Sequence, residues 1–480
     1  MHTHLHFVTS RKKLVDRILI PKFYDPDLTE AAKLAVNQFE LSLLGELQQE
    51  GKAGSQLGVW LPRENYGSGT IPFVRTSDLS HWRIRPDFKK GVSEEVYKKY
   101  KHRIEVQKDD LLMVAHGSYL IGDVALVNDG DLPLLLSDHV FRLRLRPSSG
   151  VHPHLLLAAL STNFVRRQVR ARQFSAEIID KIGDRHLGIQ VPIPRQARVR
   201  NRIIETVSKV MERHVGVREK IAKSTSVQRV PGPRAVSYFG VTLRRKSLVK
   251  RILVPRYYDP ELDDDIEAAE KATGERWITI GSLVEDGFLK VSSGVEVGKM
   301  AYGTGSIPFV RTSDLVDWEL FRDPTQGVSQ EIYDDYDGKG SLRADDVVVV
   351  RDGTYLVGSS ALVLEEDLPA LFCGGILRLR VGNKKTLNPY TLLGLLNLPV
   401  VRRQMRCKQF TRDVIDTLGP RLLEVRVPPP GSEFAKNMQM VVGTVMGMKG
   451  EIKTLMTRAI ELLEPAVPAS AVGRPGWSMR

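Results

Sequence analysis

Tyr66-Gly67-Ser68-Gly69-Thr70-Ile71-Pro72-Phe73-Val74-Arg75-Thr76-Ser77-Asp78-Leu79 returns as Tyr302-Gly303-Thr304-Gly305-Ser306-Ile307-Pro308-Phe309-Val310-Arg311-Thr312-Ser313-Asp314-Leu315, with 12 of 14 positions identical at an offset of 236. The same offset relates Trp82 to Trp318, Gly91-Val92-Ser93 to Gly327-Val328-Ser329, and Asp109-Asp110 to Asp345-Asp346. It also carries Gly117, Tyr119, Leu120 and Gly122 onto Gly353, Tyr355, Leu356 and Gly358, and Val191-Pro192-Ile193-Pro194 onto Val427-Pro428-Pro429-Pro430. Upstream, Arg17 to Leu28 returns as Arg251 to Leu262 at an offset of 234. The chain is therefore two copies of one long unit, each large enough to bury its own core. Two long copies differ from a solenoid, and the expected product is a pseudo-twofold molecule within one chain.

Inside a copy, short apolar runs broken by Gly, Asp and Pro (Ile71 to Val74, Leu111 to Val114, Val124 to Val127, Val140 to Leu145) read as strands joined by tight loops. After Pro153 the spacing turns helical, with Leu156, Leu157, Leu160, Phe164 and Val165 on one side and Arg166, Arg167 and Arg170 on an adjoining face. Val-Pro-x-Pro then reads as a breaker. Beyond each breaker lies a long helix with an apolar stripe. The first has Ile203, Val207, Val210, Met211, Val217 and Ile221, interrupted by His214 and Val215. The second has Phe434, Met438, Val441, Val445, Met448, Ile452, Leu455, Met456, Leu462 and Leu463. Neither helix can bury its stripe alone, so the expected solution is an antiparallel pair. The fold class is thus α+β: two duplicated mixed modules and a pair of long antiparallel helices.

Among 480 residues, 70 Lys+Arg stand against 57 Asp+Glu, a net charge of +13. All of that excess falls in residues 1–240, since 241–480 carry equal numbers of each sign. Such a bias suits nucleic acid, an anionic surface or simple solubility. Collagen, low-complexity and membrane classes are excluded by composition and by the lack of a run of about 20 apolar residues. Two cysteines, Cys373 and Cys407, make no disulfide framework, so a cytoplasmic protein is expected.

Catalytic motifs do not assemble. Asn388-Pro389-Tyr390 lacks the second Pro of an amino-methylating loop and aligns with His152-Pro153-His154, a helix start. Gly67-Ser68-Gly69 and Gly303-Thr304-Gly305 precede strands rather than leading from strand to helix, so they do not cradle phosphates. Gly294 to Lys299 is too short for a Walker loop, and Met300 stands where Ser or Thr would be needed. Pro86-Asp87 is not followed by Glu-x-Lys, and no His/Cys cluster has zinc spacing. His2, His4 and His6 either bind metal or belong to a frayed terminus. No catalytic residue, metal or cofactor is expected.

The order of strand-rich unit, basic helix, Val-Pro-x-Pro and long helix, followed by all of it again, resembles the specificity subunit of type I restriction-modification systems. The resemblance covers about residues 60–225 and 296–464. It rests on Gly-x-Ile-Pro-Phe-Val-Arg-Thr-Ser-Asp-Leu (Gly69 to Leu79, Gly305 to Leu315), on the runs Asp109 to Gly122 and Asp345 to Gly358, and on Val-Arg-Arg-Gln (Val165 to Gln168, Val401 to Gln404). It implies two target recognition domains, each reading half of a split double-stranded DNA site, held apart by spacer helices that dock DNA adenine methyltransferase subunits and an ATP-dependent restriction or translocase subunit. The implied division is 1–194, first recognition domain with an N-terminal extension; 195–228, first spacer; 229–244, linker; 245–430, second recognition domain; 431–464, second spacer; 465–480, tail. Where the family often has Glu-Gln after Pro-x-Pro, this chain has Arg195-Gln196 and Gly431-Ser432, and each copy opens with a long extra segment. A helical scaffold, or the recognition component of another phage-defence assembly, is the alternative. About 30 helical residues at about 1.5 Å each span roughly 45 Å, on the order of one turn of B-DNA or slightly more.

Candidate DNA-binding residues follow. Arg75 and Ser77, with Arg311 and Ser313, either contact phosphates and bases or belong to a loop fixed by Asp78 and Asp314. Shared residues hold the frame, so base reading is expected where the copies diverge inside a shared loop: Ala115-His116-Gly117-Ser118 against Arg351-Asp352-Gly353-Thr354, with Tyr119 and Tyr355 beside them. Arg351 would suit guanine and Asp352 cytosine. Arg166 and Arg170, with Arg402 and Arg406, recur and suit DNA, an acidic partner surface or helix packing. Lys89, Lys90, Lys98, Lys99 and Lys101 are either phosphate contacts of copy one or a solvated face, since Asp334, Asp335 and Asp337 replace the last three in copy two.

Overall fold

The computed structural model describes residues 20–49, 56–85, 91–117, 120–175, 180–225, 248–249, 252–321, 326–353, 356–412 and 415–466. The chain forms two compact units, Met1–Gly216 with Lys449–Arg480, and Val217–Met448. Each is a mixed helix-and-strand body, as the α+β reading requires.

In the first unit, an antiparallel sheet runs Val140–Leu143, Leu111–Val114, Val124–Leu126, and every one of these residues is buried. Strands covered on both faces read as continuous apolar runs, which is why these segments were visible in the sequence. Ile71–Val74 lies between Gly91–Val92, antiparallel to it, and Leu135–Leu136, parallel to it. The stretch after Pro153 is two helices, Pro153–Leu160 and Asn163–Arg172, and not one. Ser161 donates to the Leu157 carbonyl (3.0 Å) and accepts the Trp82 indole N–H (2.7 Å), while Thr162 Oγ1 caps the next helix at Val165 N–H (3.3 Å).

The N-terminal extension is part of the module. Phe39–Leu43 pairs antiparallel with Gln190–Pro194, so Val-Pro-x-Pro is itself a strand as well as a breaker. A two-stranded ribbon has only edge strands, where Pro is tolerated. Helix Pro26–Ala35 starts where the Asp25 carboxylate accepts from Asp27 N–H (3.0 Å), with Pro26 in the first turn. Arg167 closes onto that helix start through Asp25 (2.7 Å) and Asp27 (3.3 Å), all three being largely buried.

The second unit repeats the plan. Leu289–Ser293, Ile376–Val381, Val347–Val350 and Ser360–Leu362 form a four-stranded antiparallel sheet. Phe309–Val310 pairs parallel with Leu371–Phe372, and Ile278–Thr279 antiparallel with Arg426–Val427. Here Arg403 grips helix Pro260–Thr273 through Asp259 (3.0 Å), Glu261 (3.4 Å) and Asp265.

Two helices of 29 residues, Ala197–Thr225 and Glu433–Glu461, each contribute to both units. In the first helix Ile203, Val207, Val210, Met211 and Val217 are buried as expected; His214 continues the stripe instead of breaking it, and Val215 faces out. The second unit shows how closely the Glu433–Glu461 helix is approached: a Cβ on Gly394 would stand 2.4 Å from Met438 Cγ. In the first unit Arg213 pairs with Glu451 (2.9 Å), and the Glu464 carboxylate accepts the N–H groups of Asn163 (2.7 Å) and Phe164 (2.9 Å). Residues 300 positions later in the chain thus cap a helix of the first module. Burial pushes the Glu464 carboxyl up, and the two N–H groups hold it down. No helix among the described residues is long and apolar enough to cross a membrane.

Candidate nucleic-acid interface

The repeated motifs form the frame. Asp78 and Asp314 are buried, and each carboxylate accepts the backbone N–H of the Arg three residues earlier (Arg75, 2.9 Å; Arg311, 2.8 Å). The Arg75 guanidinium lies 5.9 Å from the Tyr66 ring, Ser313 Oγ donates to Asp314 (2.9 Å), and Ser77 is half-buried in the same turn. Of each Asp-Asp pair, Asp109 and Asp345 sit at positive φ, while Asp110 and Asp346 are buried against Arg144 and Arg380 in two-pronged ion pairs. Burial pushes the Asp110 carboxyl up, and Arg144 pulls it down.

Val-Arg-Arg-Gln is also structural. Gln168 exchanges two hydrogen bonds with the backbone of Gln190 (2.9 Å each), and Gln404 does the same with Arg426 (2.8 and 2.7 Å). The second Arg holds the N-terminal helix, as described. Arg166 pairs with Asp123 (3.2 Å) from an exposed position, and Arg170 donates to Gln173 (3.1 Å). Arg402 bonds the Gly358 carbonyl, and Arg406 is exposed. Lys98 pairs with Glu94 (2.8 Å) and lysines 99 and 101 lie beside Tyr100 and Tyr97, whereas Lys89 and Lys90 lie outside the described residues.

The diverging loops are assembled with a second segment that the sequence reading missed. In the first module Phe174–Ser175, Asp180–Lys181 and His116–Gly117 form a small antiparallel sheet, with Lys181 opposite His116 and Asp180 opposite Gly117. In the second, Phe410–Arg412 pairs with Ile415–Thr417, and Asp352 bridges Thr417. The backbone repeats bond for bond: Ala115 and His116 N–H reach the His139 carbonyl (2.9 and 3.3 Å), and Arg351 and Asp352 N–H reach that of Gly375 (2.8 and 3.1 Å). Ile182 N–H meets the Ala115 carbonyl (3.2 Å), and Leu418 N–H that of Arg351 (2.9 Å). Gly117 and Gly353 share a φ of 142°. Gln173 bonds Asp180 and Gln409 bonds Asp416, both at 3.0 Å. Arg185 covers the Phe174 ring at 4.3 Å, and Arg421 covers Phe410 at 3.8 Å. The signal available in the sequence was the recurrence of Gln-Phe, Ile-Asp, Gly183 and Arg185 as Gln409-Phe410, Ile415-Asp416, Gly419 and Arg421.

On this shared backbone the side chains differ. His116 packs edge-on against His139, centroids 5.0 Å apart, with exposed Lys181 across the strand. Burial, then His139 and Lys181, push His116 down to about 4, so its imidazole is neutral at pH 7. Lys22, its ammonium 5.9 Å from the Phe174 ring, is lowered by burial, with Asp180 opposing and Arg170 and Arg185 adding to the shift. In the second module Asp352 holds Arg351 through Oδ2 (3.0 and 2.7 Å), so both candidates there engage each other. Gly375 replaces His139, and a Cβ on it would lie 2.9 Å from Thr312 Cγ2 and 3.7 Å from Asp352 Cβ, so the Arg311–Asp314 turn adjoins this loop. The structure thus brings residues 116 and 181 together and places 351 and 352 beside the turn holding 311 and 313. Ser118, Tyr119, Thr354 and Tyr355 lie outside the described residues. Among the described residues no group of three or more His, Cys, Asp or Glu side chains is placed to hold a metal ion.

No family model and no curated protein matches this chain. Among solved structures it is similar to the S subunit of a type I restriction-modification system from M. genitalium, at 16% identity and a TM-score of 0.35, covering 90% of this chain and 97% of that one. It is also similar to the HsdS subunit from Thermoanaerobacter tengcongensis, at 16% identity and a TM-score of 0.27, covering 89% of this chain and 96% of that one.

Proposed function

We propose that this chain is a non-catalytic DNA sequence-recognition subunit, in which each module reads one half of a bipartite duplex site and the whole directs DNA methyltransferase and restriction subunits to it. One observation carries this reading: a reading platform repeated bond for bond, on which the two copies mount different side chains. A duplicated enzyme would keep its chemistry and vary its frame, whereas a duplicated reader does the reverse. The frame residues Asp78, Asp110, Gln168 and their counterparts are buried and internally paired, while His116, Lys181, Asp352 and Thr417 diverge where they stand partly or fully open.

A net charge of +13 supports a polyanionic partner. The long helices supply surface for partner subunits, and two buried free thiols, Cys373 and Cys407, suit a reducing compartment such as the cytoplasm. Selection from random duplexes, with the methyltransferase subunits present, should enrich two short sequences at a fixed gap. Binding should also weaken steeply with salt, with a log–log slope of about −0.9 for each phosphate neutralised. Enrichment of nothing above nonspecific binding, or an affinity indifferent to salt, would overturn the proposal.

A further inference from the structure

The two modules exchange three spatially linked positions while keeping the backbone that carries them: His116, His139 and Lys181 in the first, Asp352, Gly375 and Thr417 in the second. These are not independent surface changes. His139 sits on His116, and its counterpart Gly375 leaves room beside Asp352, into which the Thr312 methyl group comes. Arg351 replaces buried Ala115 and pins one oxygen of Asp352. The exchange is therefore a change of chemical head on a fixed mount.

We infer that positions 116, 139 and 181, and their counterparts 352, 375 and 417, determine which base each module reads, the first taking a base edge rich in acceptors and the second one that offers an exocyclic amino group. The inference rests on the recognition function proposed above and assigns its specificity. Lys181 carries an ammonium with donors only, and neutral His116 one ring N–H, a combination that can donate to the O6 and N7 acceptors of guanine. Asp352 is acceptor-only; its Oδ1 is enclosed, and its side chain is 26% exposed. With Oδ1 enclosed, the open part of this side chain is its Oδ2 edge, and a carboxylate oxygen that already accepts from Arg351 keeps a further lone pair for the amino group of cytosine or adenine. Arg351, held on Oδ2, is not presented to guanine; it orients the carboxylate.

The test transplants the second module's heads onto the first, Ala115→Arg, His116→Asp, His139→Gly and Lys181→Thr together in the full-length chain, and repeats the selection with random duplexes. The expected result is that the first half of the enriched sequence changes at one or two positions, from guanine to cytosine or adenine, while the second half and the gap persist. Asp352→Ala, which removes the acceptor, should relax discrimination at one position of the second half by about tenfold or more and leave the first half intact. Lys181→Thr alone, at an exposed position, should do the same in the first half. If the parent chain enriches a two-part sequence but both single variants enrich that same sequence with undiminished discrimination, the assignment fails and the recognition function stands. If the parent chain enriches nothing, the recognition function itself fails.

Discussion

Removing the guanidinium of Arg167 is the most informative perturbation of the frame. Its side chain is 16% exposed and sits against Asp25 and Asp27, which are 7% and 5% exposed. Truncation removes the guanidinium that both buried carboxylates engage. Breaking a buried pair in this way costs about 3–5 kcal/mol. In a chain of two units a single unfolding free energy is not well defined, so the loss should be read locally. In Arg167→Ala, hydrogen exchange of the Pro26–Ala35 amides should accelerate by about a hundredfold or more, since each 1.4 kcal/mol is about tenfold. The amides of Leu111–Val114 should change far less, because that strand lies inside the central sheet. Arg167→Ala combined with Asp25→Asn and Asp27→Asn should recover much of the protection, since the buried negative charge is then absent. Unchanged exchange in helix Pro26–Ala35 would refute the claim that Arg167 fastens the N-terminal extension to the module.

Other expectations follow from the same geometry. His214 is buried, and burial, then Arg83, His81 and Lys449, hold it well below the ordinary imidazole value against the opposing pull of the His81 backbone. A histidine depressed in the fold binds its proton more readily unfolded, so stability is intact above about pH 6.5 and is lost as pH falls below it. His214→Leu should raise the stability of the first unit and flatten that acid loss, measured by hydrogen exchange between pH 7 and pH 5. His116, pushed down to about 4, loses stability in the same direction across the window from 6.5 to 4, and its imidazole resonances should show no titration above pH 5. Gly394→Ala drives a methyl group against Met438 and should cost about 1–3 kcal/mol, recovered in part by Met438→Ala; equal stability of Gly394→Ala and the parent chain would contradict the contact.

Much of the frame was legible because the chain states it twice. The offset of 236 located the strands, since each is a buried apolar run bounded by Gly, Asp or Pro. Three features escaped for physical reasons. Pro153 to Arg172 is split at Ser161 because a hydroxyl committed to Trp82 sits between two caps, a contact made across 79 residues that local spacing does not reveal. The extension around Phe39–Leu43 gained its strand from Gln190–Pro194, a pairing set by tertiary contact and hidden by the prolines. His214 interrupts the stripe by polarity and yet is buried within it. For the candidate site, the divergence at His116 and Asp352 was visible as an aligned difference within a repeated loop. The hairpin that completes the platform was not, because its anchors, Phe174 under Arg185 and Phe410 under Arg421, are single aromatics whose significance lies in a contact 11 residues away. Conversely, the most repeated residues, Asp78, Asp110 and Gln168, proved to be structural, each hydrogen-bonded inside the fold.

The central claim is that one chain grips duplex DNA at two places through two sister modules. Hydroxyl-radical footprinting of the complex with its selected duplex addresses it directly. Two protected blocks separated by an open stretch are expected, with Lys181→Thr weakening only one of them. A single continuous block, or protection that does not depend on the duplex sequence, would contradict the account.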